Sequence, residues 1–120
     1  MNVVLFSSEG AAITRSPPAD IVISGSGASQ LWQAVQFNGG TVSAGVWVGQ
    51  PGSLRVRPRA HHEIFSVTAG LIRLEAEDGS TYRIGPGESA YIPKGWSGIW
   101  QTVQPTTKHY TLIVEGVAGE

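Results

Sequence analysis

The 120-residue sequence contains no cysteine. That excludes disulfide staples, a thiolate nucleophile and any zinc site with sulfur ligands. Charge is scarce as well: Asp, Glu, Lys and Arg make up 14% of the chain, well below the quarter usual for globular proteins. The surface must therefore be rich in Thr, Ser, Gly and Gln. The formal net charge is −1 and there is no basic stripe or tail, which argues against nucleic acid as a partner. No apolar run approaches the roughly 20 residues that span a bilayer. Met1-Asn2-Val3-Val4-Leu5-Phe6 lacks the basic lead of a secretory signal. The expectation is a cytoplasmic protein with no membrane partner. Sustained i, i+3, i+4 apolar spacing is also missing, which leaves a turn in the first 30 residues as the one candidate for helix.

What is present fits an all-β chain. Sixteen glycines and seven prolines punctuate it, and hydrophobic residues reach 41%, enough for one core. Residues 1–30 read as a loosely organised lead. It is broken at Ser16-Pro17-Pro18, carries the short apolar run Ile21-Val22-Ile23, and ends in a Ser/Gly link. Such a lead lies on the outside of the main unit or adds an edge strand to a partner subunit. Residues 31–120 form the main unit. Strand-like runs are parted there by Asn38-Gly39-Gly40, Gly49-Gln50-Pro51-Gly52, a turn at Gly70, Glu77-Asp78-Gly79-Ser80, Gly85-Pro86-Gly87-Glu88 and Pro93-Lys94-Gly95. Glu63 to Thr68 and Leu71 to Ala76 read as two strands, as do Gly98 to Val103 and Thr107 to Val114. Strands recurring at this spacing indicate a sandwich or barrel.

The spacing of these turns resembles the two motifs of the cupins. Gly87, five residues, Pro93-Lys94-Gly95, then Trp96-Ser97 and Gly98 match the second motif, with glycine where a histidine usually stands. Glu63, six residues and Gly70 match the end of the first; its upstream His-x-His is replaced by Arg57 and Arg59. Further blocks extend the likeness: Gly45-Val46-Trp47, Pro51-Gly52-Ser53-Leu54-Arg55-Val56, Gly95-Trp96-Ser97-Gly98-Ile99-Trp100 and Lys108-His109-Tyr110. Together they resemble the small cupins related to ureidoglycine aminohydrolase. The resemblance implies a cupin-type double-stranded β-helix, or jelly-roll barrel, over residues 30–115. It also implies a manganese-dependent reaction with a Glu, two His and a Gln as ligands. The aligned places here hold Arg57, Arg59, Glu63 and Gly98, so no ligand type stays in its place.

Cupin motif residues face the barrel interior, which puts Glu63 inside. An extended chain upstream would set Arg57, Arg59 and His61 on the same face. A lone buried carboxylate is costly, so Glu63 needs a buried cation. Lys108 is the natural one, with Tyr110 on the same face as a hydroxyl donor. The opposite parity would put His109 and Thr111 inside instead, and the resemblance favours the first. Trp47 and Trp100 are either core or pocket walls, and Trp96, after Pro-x-Gly, belongs at the barrel mouth. Gly98 removes a side chain and leaves space that favours an organic ligand over an ion. His61-His62 is either a metal handle or a surface pair.

The leading expectation is a barrel without a metal that binds a small polar, anionic metabolite through Trp47, Arg57, Arg59, His61, Glu63, Trp96, Trp100, Lys108 and Tyr110. One alternative is an enzyme with shifted ligands, holding Mn or Zn through His61 and Glu63 and drawing on His62 or His109. The other is a non-catalytic module that forms a homodimer through Asn2 to Phe6 or Ile21 to Ile23.

Overall fold

The computed structural model describes residues 2–115; Met1 of the lead and residues 116–120 of the expected barrel lie outside the described residues. The strands are β1 (Ile13–Arg15), β2 (Val22–Gly25), β3 (Ser29–Phe37), β4 (Val42–Gly49), β5 (Gly52–Val56), β6 (His62–Ala76), β7 (Thr81–Ile84), β8 (Ser89–Ile92) and β9 (Gly98–Ile113). One 3-10 turn, Ala19–Ile21, lies between β1 and β2. The turn clusters fall where the sequence sets them: Asn38-Gly39-Gly40 closes the β3–β4 hairpin, and Glu77-Asp78-Gly79-Ser80 closes β6–β7.

The four strands expected over Glu63 to Ala76 and Gly98 to Val114 are the halves of two longer ones. β6 runs unbroken through Gly70, and β9 through Pro105, and the two pair antiparallel along nearly their whole length. Their first and second halves take different neighbours. β6 is flanked by β8 at residues 63–66 and by β7 at 72–75. β9 is flanked by β5 at residues 98–102 and by β4 at 106–113. One long antiparallel pair of strands thus serves two sheet layers, which is how the jelly roll closes round a core. Beyond this pair, β3 lies beside β4 and carries β1, while β2 lies beside β5. In the segment Ile21 to Ile23, offered above as a dimer contact, Val22 pairs with Leu54 of β5 in the same chain, while Ile23 sits at a register slip and stays exposed.

The bend has an identifiable cause. The β6–β9 register slips between Val67 and Ile72, and the buried parity of β6 changes there from Glu63, Phe65 and Val67 to Ile72 and Leu74. Pro105 has no N–H to give the ladder, so a strand tolerates it at such an irregularity. The buried Thr106 hydroxyl fills the gap, accepting from the Leu71 N–H at 3.0 Å and donating to the Gln104 carbonyl at 2.7 Å. Gly70 meets this crossing at φ +94, and a Cβ there would lie 2.4 Å from the Pro105 carbonyl oxygen. Glycine is required on both counts. The core collects inside the curl: Leu31, Phe65, Val67, Ile72, Leu74, Ile84, Ile92, Trp100 and Tyr110. Among the described residues no helix is long and apolar enough to cross a membrane.

Candidate functional site

β9 keeps one parity inward from end to end: Trp100, Thr102, Thr106, Lys108 and Tyr110 are buried, while His109 is exposed. β6 presents Glu63 to the same interior. The Glu63 carboxylate, 2% exposed, accepts from the Lys108 ammonium at 2.7 Å through Oε2 and from the Arg59 guanidinium at 2.8 Å through Oε1. Arg59 also meets Nε2 of His61 at 2.9 Å. An arginine has no lone pair to offer, so Nε2 accepts and the imidazole proton sits on Nδ1. Arg59 and His61 reach the cluster from the turn between β5 and β6 rather than from an extended strand. Two backbone hydrogen bonds pin that turn to the Pro93–Trp96 loop: Arg59 N–H to the Trp96 carbonyl at 3.1 Å, and Gly95 N–H to the Arg59 carbonyl at 2.8 Å.

Lys108 is boxed by aromatic rings. Its Nζ lies 4.1 Å from the ring centre of Trp100, 4.5 Å from Trp47 and 4.7 Å from Phe65. Faces of such rings attract cations, so the box and the carboxylate together offset the loss of hydration. Burial pushes the Lys108 ammonium below its ordinary range; Glu63 opposes that and Arg59 adds to it. Burial alone would raise the Glu63 carboxyl, but Lys108 and Arg59 outweigh it and hold it low. Desolvation, helped by the Arg59 charge, lowers His61, so its ring is neutral near pH 7.

These groups border a hollow of about 160 Å³ that also takes in Arg15, Leu31, Trp47, Tyr110 and Leu112. A larger hollow of about 550 Å³ adjoins it and shares Arg15, Trp47 and Lys108. Its outer wall is Thr14 to Pro18 of the lead, held over the barrel by β1 pairing with β3 and by the Trp32 indole donating to the Gly10 carbonyl at 3.1 Å. The Tyr110 hydroxyl is buried and has no hydrogen-bond partner among the described residues. Burial pushes its pKa up, with Glu63 adding to the rise and Arg15 opposing it, so it stays protonated at neutral pH.

Of the nine residues expected at the site, Trp47, Arg59, His61, Glu63, Trp100, Lys108 and Tyr110 come together. Two do not. Arg57 points outward, with its guanidinium 2.8 Å from Asp20 and both side chains more than half exposed. The chain stops being extended after Val56, so counting parity back from Glu63 fails there. Trp96 lines a different hollow, beside Leu74, Tyr82 and Ile92, and packs on the core. The expected vacancy at Gly98 is filled. A Cβ there would sit 2.2 Å from the Glu75 carbonyl oxygen and 2.9 Å from the Trp96 ring. The glycine is dictated by a close strand approach, not by ligand room. His62 and His109 also lie apart from Glu63. His62 stacks on Tyr91 and hydrogen-bonds the Tyr91 hydroxyl and Glu115, and His109 lies against Phe6. Arg15, missed from the sequence, carried no signal beyond being a cation just ahead of the Ser16-Pro17-Pro18 break.

A family model described as an EutQ-like cupin domain matches residues 38–110. The chain belongs to this cupin family. No curated protein matches it. Among solved structures, a protein of unknown function of the DUF861 family from Pseudomonas syringae superposes with a TM-score of 0.80 at 21% identity, covering 89% of this chain and 46% of that one. This cupin thus spans about half the length of that relative. A putative ethanolamine utilization protein Q from Salmonella typhimurium superposes with a TM-score of 0.65 at 18% identity, covering 89% of this chain and 100% of that one. A DUF861 family protein from Thermotoga maritima, 26% identical, superposes with a TM-score of 0.51 over 54% of this chain and 73% of its own. The family match and these superpositions establish the jelly-roll cupin fold.

Reinstating the cupin histidine at position 98 is expected to destabilise this chain. Gly98→His pushes a Cβ into the Glu75 backbone, an overpacking that costs roughly 1–3 kcal/mol or more. Urea denaturation reads the loss. A variant as stable as the parent, with stoichiometric bound manganese, would refute this account of Gly98.

Proposed function

We propose that this EutQ-like cupin binds a small carboxylate in the hollow beside Glu63, with Arg59, Lys108 and Tyr110 as its partners and no metal. The orphaned Tyr110 hydroxyl carries the reading. A buried donor without a partner costs about 1–3 kcal/mol, a cost that a bound anion removes. The charge balance supports it. Arg15, Arg59 and Lys108 border the hollow against a single carboxylate there, Glu63, and His61 is neutral. The volume suits something small, about as many heavy atoms as the roughly five waters that would fill it. Trp47 and Trp100 supply flat walls at the opening to the larger hollow.

The same residues do not fit a divalent cation. Both Glu63 oxygens are engaged by cations, and the His61 Nε2 lone pair faces Arg59. Among the described residues no three His, Cys, Asp or Glu side chains gather in one place. An added dication would stand within a few ångströms of two fixed positive charges in a low-dielectric interior. The aminohydrolase reaction implied by the family resemblance depends on such a metal, so it is not the reading favoured here.

Calorimetric titration with oxalate, malonate and glyoxylate tests the proposal. At least one should bind stoichiometrically, more weakly as salt rises, and should raise the melting temperature. Absence of heat and of any thermal shift at millimolar concentrations of all three would sink it.

A further inference from the structure

Lys108 is a primary amine where an ion pair alone would be served as well by arginine, and it is one of only two lysines in the sequence. It stands at the seam of both hollows, with a carboxylate oxygen 2.7 Å away and an unpartnered hydroxyl two residues along the same strand face. An anion anchored by Arg59 and Arg15 would bring an adjacent carbonyl carbon up to Nζ. We propose that Lys108 condenses reversibly with a small 2-oxo acid to form an iminium, an inference that rests on the anion-binding reading of the same site.

The step balances on the groups present. Glu63 Oε2 takes one proton from the ammonium, freeing the nitrogen lone pair. That pair attacks the keto carbon, forming the C–N bond as the carbonyl π pair moves to oxygen, which takes the Tyr110 proton. The phenolate recovers a proton from the new C–N nitrogen. Glu63 then returns its proton to the carbinol oxygen, which leaves as water while the nitrogen lone pair closes the C=N bond. The sum is one ammonium plus one ketone giving one iminium plus one water. Charge is conserved at the nitrogen, so the product keeps the pairing with Glu63 and the attraction of the Trp47, Phe65 and Trp100 rings. A carboxylate as proton acceptor and a positioned phenol as donor are the general acid–base pair that amine condensation needs.

The whole chain is incubated with pyruvate and cyanoborohydride, digested and read by mass spectrometry. Hydride capture of the iminium leaves N-(1-carboxyethyl)lysine. The modification should fall on Lys108, enriched about tenfold over the exposed Lys94, which serves as an internal control needing no mutant. Excess malonate should suppress it at Lys108 and not at Lys94, and Lys108→Met should carry none at that position. Label at Lys94 equal to or above that at Lys108, while calorimetry shows malonate bound, overturns the iminium and leaves the anion pocket standing. Absence of any carboxylate binding overturns both.

Discussion

Glu63→Gln is expected to lower folding stability by about 3–5 kcal/mol, the usual cost of removing one partner from a buried ion pair. The carboxylate serves two cations at once, so its loss strands Lys108 inside the aromatic box and leaves the partly buried Arg59 unpaired. Glutamine preserves the shape, which confines the effect to charge. Acid should imitate the substitution. The folded carboxyl is held below its ordinary value of 4.5. The unfolded chain therefore binds the proton more readily than the folded one. The stabilisation is fully present above about 4.5 and disappears as pH falls through the lower folded value. Urea denaturation of parent and variant from neutrality down to about pH 3 checks both parts: the gap between them should be widest near neutrality and should close in acid. Equal stabilities at pH 7 would mean that Glu63 is not the anchor of this cluster.

Lys108→Met is expected to have the opposite profile, a modest stability change with a large loss of binding. Methionine fits among Trp47, Phe65 and Trp100, and Glu63 keeps Arg59 as a partner. The desolvation of a fully enclosed ammonium is removed along with its attraction to Glu63, so the two largest changes offset each other. Binding has no such compensation. The hollow loses one of its cations, and a charge-assisted hydrogen bond of about 1.5–3 kcal/mol goes with it, roughly ten- to hundredfold in affinity for the bound carboxylate. Calorimetry and denaturation on the same preparation separate the two effects. A stability loss as great as that of Glu63→Gln, or an unchanged affinity, would contradict the asymmetry.

Several particulars show where the sequence was readable. Hairpin turns are local: Asn38-Gly39-Gly40 and Glu77-Asp78-Gly79-Ser80 carry their backbone preference within a few residues, and both fall where expected. Lys108 and Tyr110 were legible as a pair because parity within one strand is a local rule, and β9 obeys it from Trp100 to Tyr110. Arg57 was misplaced because the same rule was carried across Pro58 into a turn. The halves of β6 and β9 were read as separate strands because Gly70 and Pro105 look like terminators. Each is instead the accommodation the other requires at a tight crossing.

The sequence by itself determined the all-β pattern, the hairpin turns, the cupin motifs and the paired cation and carboxylate types, because period, turn chemistry and motif spacing are short-range properties. Only the tertiary structure decided that Arg15 closes the pocket from the lead, that Trp96 faces another hollow, that Gly98 is a close approach of strands, and that the Tyr110 hydroxyl finds no partner among the described residues. Each of those depends on which distant strands lie side by side, and register between distant strands is not written in any local stretch of residues.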